Sequence, residues 1–224
     1  MAKLFLVPTP VGNLEDLTFR ALRVLQEADY VLAEDTRTSA VLFKKYNIKT
    51  RLVAHHKFNE HRTVADIADR IAAGSNIALI SDAGTPGISD PGFLLVRTCV
   101  AKGIEVECLP GATALIPALI NSGLPCDRFC FEGFLPQKKG RRSRIAQLAQ
   151  EERTMVFYES PYRLVKTLSQ LTEVLGSERQ ACVSRELSKL HEENQRGSLA
   201  VLSEYYTQHE PKGEIVLCVA GSPY

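Results

Sequence analysis

Residues 77–92, IALISDAGTPGISDPG, combine a short apolar strand pattern with a turn dense in glycine and proline. Ile77–Ile80 is an unbroken apolar run, which predicts a strand that is covered on both faces. The turn occupies residues 81–92, and a helix pattern over residues 93–102 follows it and ends at Gly103. This stretch therefore predicts a strand, a glycine-rich turn and a helix in succession.

The same alternation extends through the first half of the chain. Strand patterns occur at residues 3–7, 30–33, 77–80 and 104–109. Helix patterns lie between them, and we expect one to be capped by Asn13 and another to be opened by Thr63. Alternating strands and helices predict an α/β fold with a largely parallel sheet and helices on both faces. Ligands bind such sheets beyond the carboxyl ends of the strands, so the turns there are where chemistry is expected.

A basic run at residues 137–144, QKKGRRSR, separates this pattern from a second set of elements. We expect the run to be a linker or an exposed loop. The elements that follow are strands at residues 155–158, 181–184 and 215–220 and helices at residues 161–175 and 199–206. We predict two α/β domains, residues 1–121 and residues 122–224.

Composition excludes several classes of protein. The 224 residues are 45% apolar and 24% charged, which is ordinary for a globular chain, and the net charge of +1 gives no overall bias toward nucleic acid. The six cysteines lack the spacing of a zinc site, so we expect reduced cysteines packed in the core, in a reducing compartment, and no metal. No apolar run is long enough to span a bilayer, and we expect no membrane partner.

Four turns at predicted strand ends carry glycine, proline or the start of a helix. They are residues 7–13, 81–92, 110–114 and 157–163. Glycine lets the backbone approach a ligand, and helix N-termini present free N–H groups to anions. The alternative is that they are only tight connections. No GxGxxG follows the first strand and no GxxxxGK[ST] occurs, which disfavours a dinucleotide site of the Rossmann type and a P-loop kinase.

Longer motifs run in order through nearly the whole chain. They are VPTPVGNLEDLTFRALRVL, AEDTR, SDAGTPGISDPG, LPGATALIPAL, FEGFLPQKKGRR, FYESPYRL, SRELSKLHEE and KGEIVL. With these motifs the chain resembles the small-subunit rRNA (cytidine-2'-O)-methyltransferase I family of the tetrapyrrole-methylase superfamily. It departs from the family pattern at residues 111–114, where GATA replaces a GPSA-like turn. It also stops at Tyr224, where members often carry a further small helical region.

The resemblance implies two α/β domains of tetrapyrrole-methylase type with a cleft between them that binds S-adenosylmethionine. It further implies a cytoplasmic homodimer that methylates the ribose 2'-oxygen of a cytidine in small-subunit (16S) rRNA. Two alternatives stay open. One is a tetrapyrrole C-methyltransferase, which shares the methyl donor, and the other is a non-catalytic RNA-binding protein of the same fold.

By the same resemblance, one set of residues binds the methyl donor. Ala83 to Thr85 would line its methionine part, and Tyr158 and Leu187 would approach its adenosine, although core packing is an equal explanation for Leu187. The full set is Pro10, Asp82, Ala83, Gly84, Thr85, Ser89, Thr113, Ala114, Tyr158, Leu187, Lys212, Gly213 and Glu214.

A ribose hydroxyl is a poor nucleophile until its proton leaves, which calls for a positioned base. The candidate bases each follow a strand or begin a helix: Asp35, His56, Glu159 and Glu186. We favour Glu186, supported by Arg185 and Lys189, as the base. Asp35 and Arg37, which we expect on a loop after the strand at residues 30–33, would hold the nucleotide, and His56 is a further base or ribose contact. The alternatives are structural ion pairs for the charged residues and a polar loop for His56.

The basic run supplies the candidate RNA contacts. We assign phosphate contacts to Lys138, Lys139, Arg141, Arg142 and Arg144, because cations clustered in a suspected RNA enzyme suit a phosphate backbone. The alternative is a solvated linker, which is the usual role of a charge run.

Overall fold

A computed structural model describes residues 2–222 of the chain. It divides into two compact units, Met1–Thr113 and Ala114–Tyr224. The predicted boundary between residues 121 and 122 stays a prediction. Within the described residues, no helix has the length and apolar content needed to cross a lipid bilayer.

The first unit is built on a parallel sheet, as predicted, which has five strands where the sequence patterns indicated four. They are β1 (Lys3–Leu6), β2 (Tyr30–Ala33), β3 (Leu52–Ala54), β4 (Ile77–Ile80) and β5 (Glu105–Cys108). Their order across the sheet is β3-β2-β4-β1-β5, and every neighbouring pair is parallel. All four residues of β4 are buried, which agrees with its unbroken apolar sequence.

Helices cover both faces of this first sheet. They are α1 (Phe19–Glu27), α2 (Thr36–Lys45), α3 (Glu60–Ala72) and α4 (Phe93–Ala101). Because side chains alternate along a strand, Ala78 and Ile80 of β4 pack in the core with α1 and α2, whereas Ile77 and Leu79 pack in the core with α3 and α4. This is the doubly covered parallel sheet that the alternating pattern predicts.

Besides α3, which begins at Glu60 and not at the expected Thr63, two helix starts differ from the prediction. Asn13 caps a single 3₁₀ turn, and α1 begins later because the Thr18 hydroxyl accepts a hydrogen bond from the N–H of Ala21. The second difference is α2, which was predicted as a loop. Asp35 caps this helix by accepting a hydrogen bond from the N–H of Arg37.

The second unit places helices around a second five-stranded sheet. Its elements are α5 (Leu115–Ser122), β6 (Phe129–Phe134), α6 (Arg141–Gln147), β7 (Thr154–Glu159), α7 (Pro161–Leu175), β8 (Gln180–Arg185), β9 (Glu193–Ser198), α8 (Leu199–Gln208) and β10 (Ile215–Val219). The order is β6-β7-β10-β8-β9, and only β6 and β7 are parallel. The parallel sheet was predicted from the first half of the chain only, and here the short connection from β8 to β9 permits only an antiparallel pair.

The basic run is only partly a loop. Residues 138–140 are exposed, but α6 begins at Arg141. The side chains of Arg141, Ile145 and Leu148 are all buried, and their spacing of four and three residues is that of one helix face. The prediction of a linker over residues 137–144 is therefore wrong from Arg141 onward.

The cysteines of the described chain are all free thiols. Cys99, Cys182 and Cys218 are buried as predicted, and burial raises the pKa of the Cys218 thiol to about 12. Cys108 and Cys126 are exposed, so their assignment to the core is wrong. No group of three or more potential metal ligands lies together anywhere in residues 2–222.

Candidate active site

Three turns at the carboxyl ends of β1, β4 and β5 are tied together by hydrogen bonds within the first unit. The backbones of Thr9 and Gly84 exchange two hydrogen bonds of 2.9 Å, and the Thr9 hydroxyl donates to the carbonyl of Ser81 at 3.0 Å. The Thr85 hydroxyl donates to the carbonyl of Ala112 at 3.0 Å. These bonds link the turns after β1, β4 and β5 and bring together the residues predicted from all three.

Glycine is required where these turns approach one another. A Cβ on Gly111 would lie 2.7 Å from the Cβ of Pro8, too close for two carbon atoms. Gly84 has φ +80°, in the left-handed region that other residues rarely adopt. The glycines in these two motifs therefore serve the close packing of the turns, and their expected role of letting the backbone approach a ligand stays a prediction.

The other donor-binding residues predicted from this part of the chain lie within these turns. Pro10 is buried, Asp82 and Ser89 are exposed, and Ser89 has φ +65°. Thr113 is the last residue of the first unit and Ala114 the first of the second. Their contact with the donor stays a prediction.

A carboxylate cluster lies at the ends of β2 and β4, beside the Ser81 turn. The Asp35 carboxylate caps α2 and forms an ion pair with the exposed Arg37, with 2.6 Å between Oδ2 and Nη2. The hydrogen bond from Arg37 lowers the pKa of Asp35. The N–H of Asp35 donates to Oδ1 of Asp82 at 3.1 Å, which joins the two strand ends. The structural ion pair considered for Asp35 and Arg37 is present.

Glu34, the residue directly after β2, is partly buried in this cluster. Burial raises the pKa of its carboxyl group, and the negative charge of Asp82 raises it further, whereas Lys57 and His56 oppose the shift. Burial likewise raises the pKa of Asp82. The sequence reasoning assigned Glu34 no role, because the partners that distinguish it come from β3 and β4.

His56 lies after β3 on the approach to α3. Its backbone N–H donates to the Asn59 side chain at 2.8 Å, and its ring lies edge-on to Phe58 with 6.0 Å between centroids. Its Nδ1 is buried without a hydrogen-bond partner in the described chain. The neighbouring His55 is fully buried, and burial lowers its pKa. A catalytic role for His56 stays a prediction.

In the second unit Glu186 holds the turn at residues 212–214. Its Oε1 accepts hydrogen bonds from the N–H of Glu214 at 2.9 Å and from Nζ of Lys189 at 2.8 Å. Lys189 also donates to the Glu214 carboxylate at 2.7 Å. The hydrogen bond from Lys189 lowers the pKa of Glu186, which reduces its basicity. The cluster predicted from sequence exists, but its geometry fits the positioning of a turn better than the removal of a proton.

Two other predicted donor contacts have clear packing roles. Leu187 is buried in the core with Ala118 and Leu119 of α5. The Tyr158 ring lies edge-on to Phe131 and Phe134, with centroids 5.0 and 5.8 Å away. A further candidate base, Glu159, is buried, and its carboxylate accepts hydrogen bonds from the N–H of Ser160, from Arg163 and from Thr167. Those three donors give Glu159 a structural role.

The cations of the basic run differ in their exposure to solvent. Lys138, Lys139 and Arg142 are exposed. Arg144 is partly exposed and makes a two-pronged ion pair with Glu132. Arg141, in contrast, is 5% exposed. Its guanidinium donates to Thr167 and Gln170, both at 2.7 Å, and to the carbonyl of Pro136 at 3.2 Å. We therefore withdraw Arg141 from the set of RNA contacts, since its donors are used inside the unit.

Comparison with known proteins identifies the family to which this chain belongs. A family model described as tetrapyrrole (corrin/porphyrin) methylases matches residues 3–203. The ribosomal RNA small subunit methyltransferase I of Synechocystis sp. is 51% identical over 223 residues, which cover 99% of this chain and 80% of that protein. The Thermotoga maritima protein of the same name is 44% identical over 221 residues, 99% of both chains. The chain belongs to the ribosomal RNA small subunit methyltransferase I family.

The fold of this methyltransferase family extends to more distant proteins. A crystal structure of uroporphyrin-III C-methyltransferase from Thermus thermophilus, complexed with S-adenosylhomocysteine, has a TM-score of 0.68 and 22% identity to this chain. The likeness covers 98% of this chain and 97% of that one. At this identity it supports the tetrapyrrole-methylase fold and not the substrate.

Proposed function

We propose that this protein transfers a methyl group from S-adenosylmethionine to the 2'-oxygen of a cytidine ribose in small-subunit ribosomal RNA. The observation that carries the proposal is 44–51% identity, over nearly the whole chain, to proteins named ribosomal RNA small subunit methyltransferase I. The more distant likeness to a C-methyltransferase of a tetrapyrrole supports only the fold.

The tied turns of the first unit fit the amino-acid end of the donor. Asp82 offers an exposed carboxylate that suits an ammonium group, and Gly84 lets backbone come close to a ligand without a side chain between. When bound, S-adenosylmethionine supplies a methyl group activated by its sulfonium charge. We propose that Asp82, Ala83, Gly84 and Thr85 hold its methionine part, with Pro10, Ser89, Thr113 and Ala114 around them.

For the adenosine we propose the second-unit residues Tyr158, Leu187 and the turn formed by Lys212, Gly213 and Glu214. Glu186 and Lys189 then act as positioning residues, because they hold the backbone N–H and the carboxylate of Glu214. Donor affinity is expected to depend on this pair of side chains.

Exposed cations provide the RNA contacts in this proposal. Lys138 and Lys139 precede α6, and Arg142 lies in its first turn, so all three are available to phosphates. Arg144 can serve only while it also holds Glu132. We further propose that the protein works as a homodimer in the cytoplasm, as implied by its family and by a ribosomal substrate.

The decisive experiment is methyl transfer from radiolabelled S-adenosylmethionine to small ribosomal subunits that lack the modification, with chelator present throughout. We expect one labelled cytidine, located by mapping the modified nucleotide, and label that resists base treatment as a 2'-O-methyl does. Uroporphyrinogen III in a parallel reaction tests the C-methyltransferase alternative. Label in the tetrapyrrole and none in RNA would overturn the proposal, and calorimetry showing no donor binding would favour a non-catalytic RNA-binding protein.

A further inference from the structure

Glu34 stands where three strand ends of the first unit meet. It follows β2, which lies between β3 and β4 in the sheet. His56 and Lys57 come from the β3 side and Asp82 from the β4 side, while Asp35 follows on the same chain segment. The hydrogen bond from Asp35 to Asp82 connects this point to the turn proposed to hold the donor. Glu34 therefore lies beside the proposed methyl-donor residues within a single unit.

The other carboxylates considered as bases are already bound by donors. Asp35 is held by Arg37 and by the start of α2, and Glu186 by Lys189 and Glu214. Glu159 has three donors inside the second unit. In contrast, no group in residues 2–222 donates a hydrogen bond to the Glu34 carboxylate or forms an ion pair with it. A carboxylate that is partly buried and has no donor is free to accept a proton from a ligand.

We propose that Glu34 is the general base that receives the proton of the ribose 2'-hydroxyl, an inference that rests on the proposed function. The 2'-oxygen forms a bond to the methyl carbon while the bond from that carbon to sulfur breaks. The electron pair of the broken bond stays on sulfur, so the sulfonium becomes a neutral thioether. The hydroxyl proton passes to the Glu34 carboxylate, which then releases it to water.

The surroundings of Glu34 favour this role. Burial is the main cause that raises the pKa of Glu34, and the negative charge of Asp82 is the next, while Lys57 and His56 oppose the shift in part. A higher pKa makes the ionised carboxylate a stronger base, whereas the pKa values of Asp35 and Glu186 are lowered by their cationic partners. The base must be ionised to act, so the reaction is expected to slow as the pH falls through the pKa of Glu34.

The first test compares single-turnover methylation by wild type, Glu34→Gln and Glu34→Asp at saturating donor and small subunits. We expect Glu34→Gln to be slower by about 10²-fold or more, and to lose the acid limb of the pH–rate profile. Glu34→Asp keeps a displaced carboxylate and should be intermediate with the acid limb retained. Donor and RNA affinities should not change. The matched control is Glu173→Gln on the exposed face of α7, which should keep the wild-type rate.

The second test uses the protein without donor or RNA. A carboxyl group whose pKa is raised on folding is stabilising when protonated and destabilising when ionised. Glu34→Gln should therefore raise the unfolding temperature at neutral pH, and the gain should vanish below the ordinary glutamate pKa. A loss of stability at neutral pH would show that the ionised carboxylate is structural and would overturn the inference.

The two proposals fail in different ways. If wild type methylates the RNA and Glu34→Gln does so at the same rate, Glu34 is not the base and the proposed function stands. If wild type binds the donor but methylates no RNA, the proposed function fails and this role of Glu34 fails with it.

Discussion

Gly213 shows how the absence of one side chain sets the position of a carboxylate. A Cβ at this position would lie 2.1 Å from Oε1 of Glu186, and the residue has φ +82°. The carboxylate therefore occupies the space beside Gly213 and binds the N–H of Glu214 and the ammonium of Lys189. Glu186 itself has φ +54°, which is unfavourable for a residue with a side chain. The strained backbone of Glu186 therefore occurs at the residue whose carboxylate holds the turn at residues 212–214.

Gly213→Ala should destabilise the protein more than a glycine replacement that meets no atom. The matched control is Gly103→Ala, at φ +67° with nothing within 4 Å of the added carbon, where only backbone strain of about 1–2 kcal/mol is expected. Gly213→Ala adds displacement of the Glu186 carboxylate, and donor affinity should fall with it. Urea unfolding and calorimetry measure the two effects. Equal losses of stability and full donor affinity in both variants would contradict the role given to the turn.

Arg141 and Arg142 are neighbours in sequence with opposite environments. Arg141→Ala removes the donor to the buried Thr167 and one of the two cations beside Glu159, which keeps Arg163, so we expect a loss of about 1–3 kcal/mol in the free energy of unfolding. Arg142→Ala removes an exposed side chain and should change that free energy by less than about 0.5 kcal/mol. Urea denaturation of both variants provides the measurement. Similar stabilities would mean that the buried hydrogen bonds of Arg141 contribute little.

At the scale of elements, sequence patterns predicted the regular ones well. The bounds of β4 and α7 agree with the structure, because one is an unbroken apolar run and the other begins at Pro161 and stops before Gly176. The strand β9, with the sequence ENQRGS, was missed because it is a polar edge strand whose pairing with β8 is a tertiary interaction. The helix α2 was missed because its cap, Asp35, was interpreted as a binding residue.

The candidate site was predictable to a similar extent. The glycine-rich turns correctly predicted that the turns after β1, β4 and β5 come together, because glycines at predicted strand ends can be recognised in the sequence. The free carboxylate of Glu34 was not visible, because it is distinguished from Asp35 only by which of the two is bound to Arg37 and α2. Sequence neighbours with the same charge acquire different chemistry through partners that only the folded chain supplies.

The loop before α6 and its first turn should act together as one RNA-binding element. Reversing the charge of Lys138, Lys139 and Arg142 should weaken RNA affinity and leave donor affinity unchanged. The dependence of log affinity on log salt should also flatten by about 0.7–0.9 for each lost phosphate contact. The control is Lys166→Glu, a single charge reversal at an exposed position of α7. It is compared with Lys138→Glu alone, which also reverses one charge. If RNA affinity and its salt dependence did not change, the basic run would be a solvated segment without phosphate contacts.

For the whole molecule, we expect a homodimer. The family resemblance motivates this prediction, and large side chains such as Phe19, Tyr162 and Leu190 are each 92% exposed in the single chain. Light scattering at micromolar concentration should give about twice the 24.8 kDa of one chain. The measurement is to be repeated in high salt, where an association driven by apolar contacts persists. A mass of one chain under both conditions would contradict the prediction.

The place of β1 between β4 and β5 in the first sheet has a consequence for synthesis of the protein. This strand is made early, yet its partners are β4 and β5, which begin at Ile77 and Glu105. At translation rates of about 5–20 residues per second, the apolar segment around Leu4 and Leu6 waits roughly 4–15 s before β4 has even been synthesised. During that time it is an unpaired strand open to aggregation or to capture by chaperones. Slower translation at low temperature prolongs this exposure, so yields of folded protein should depend on chaperone supply more than on the stability of the finished fold.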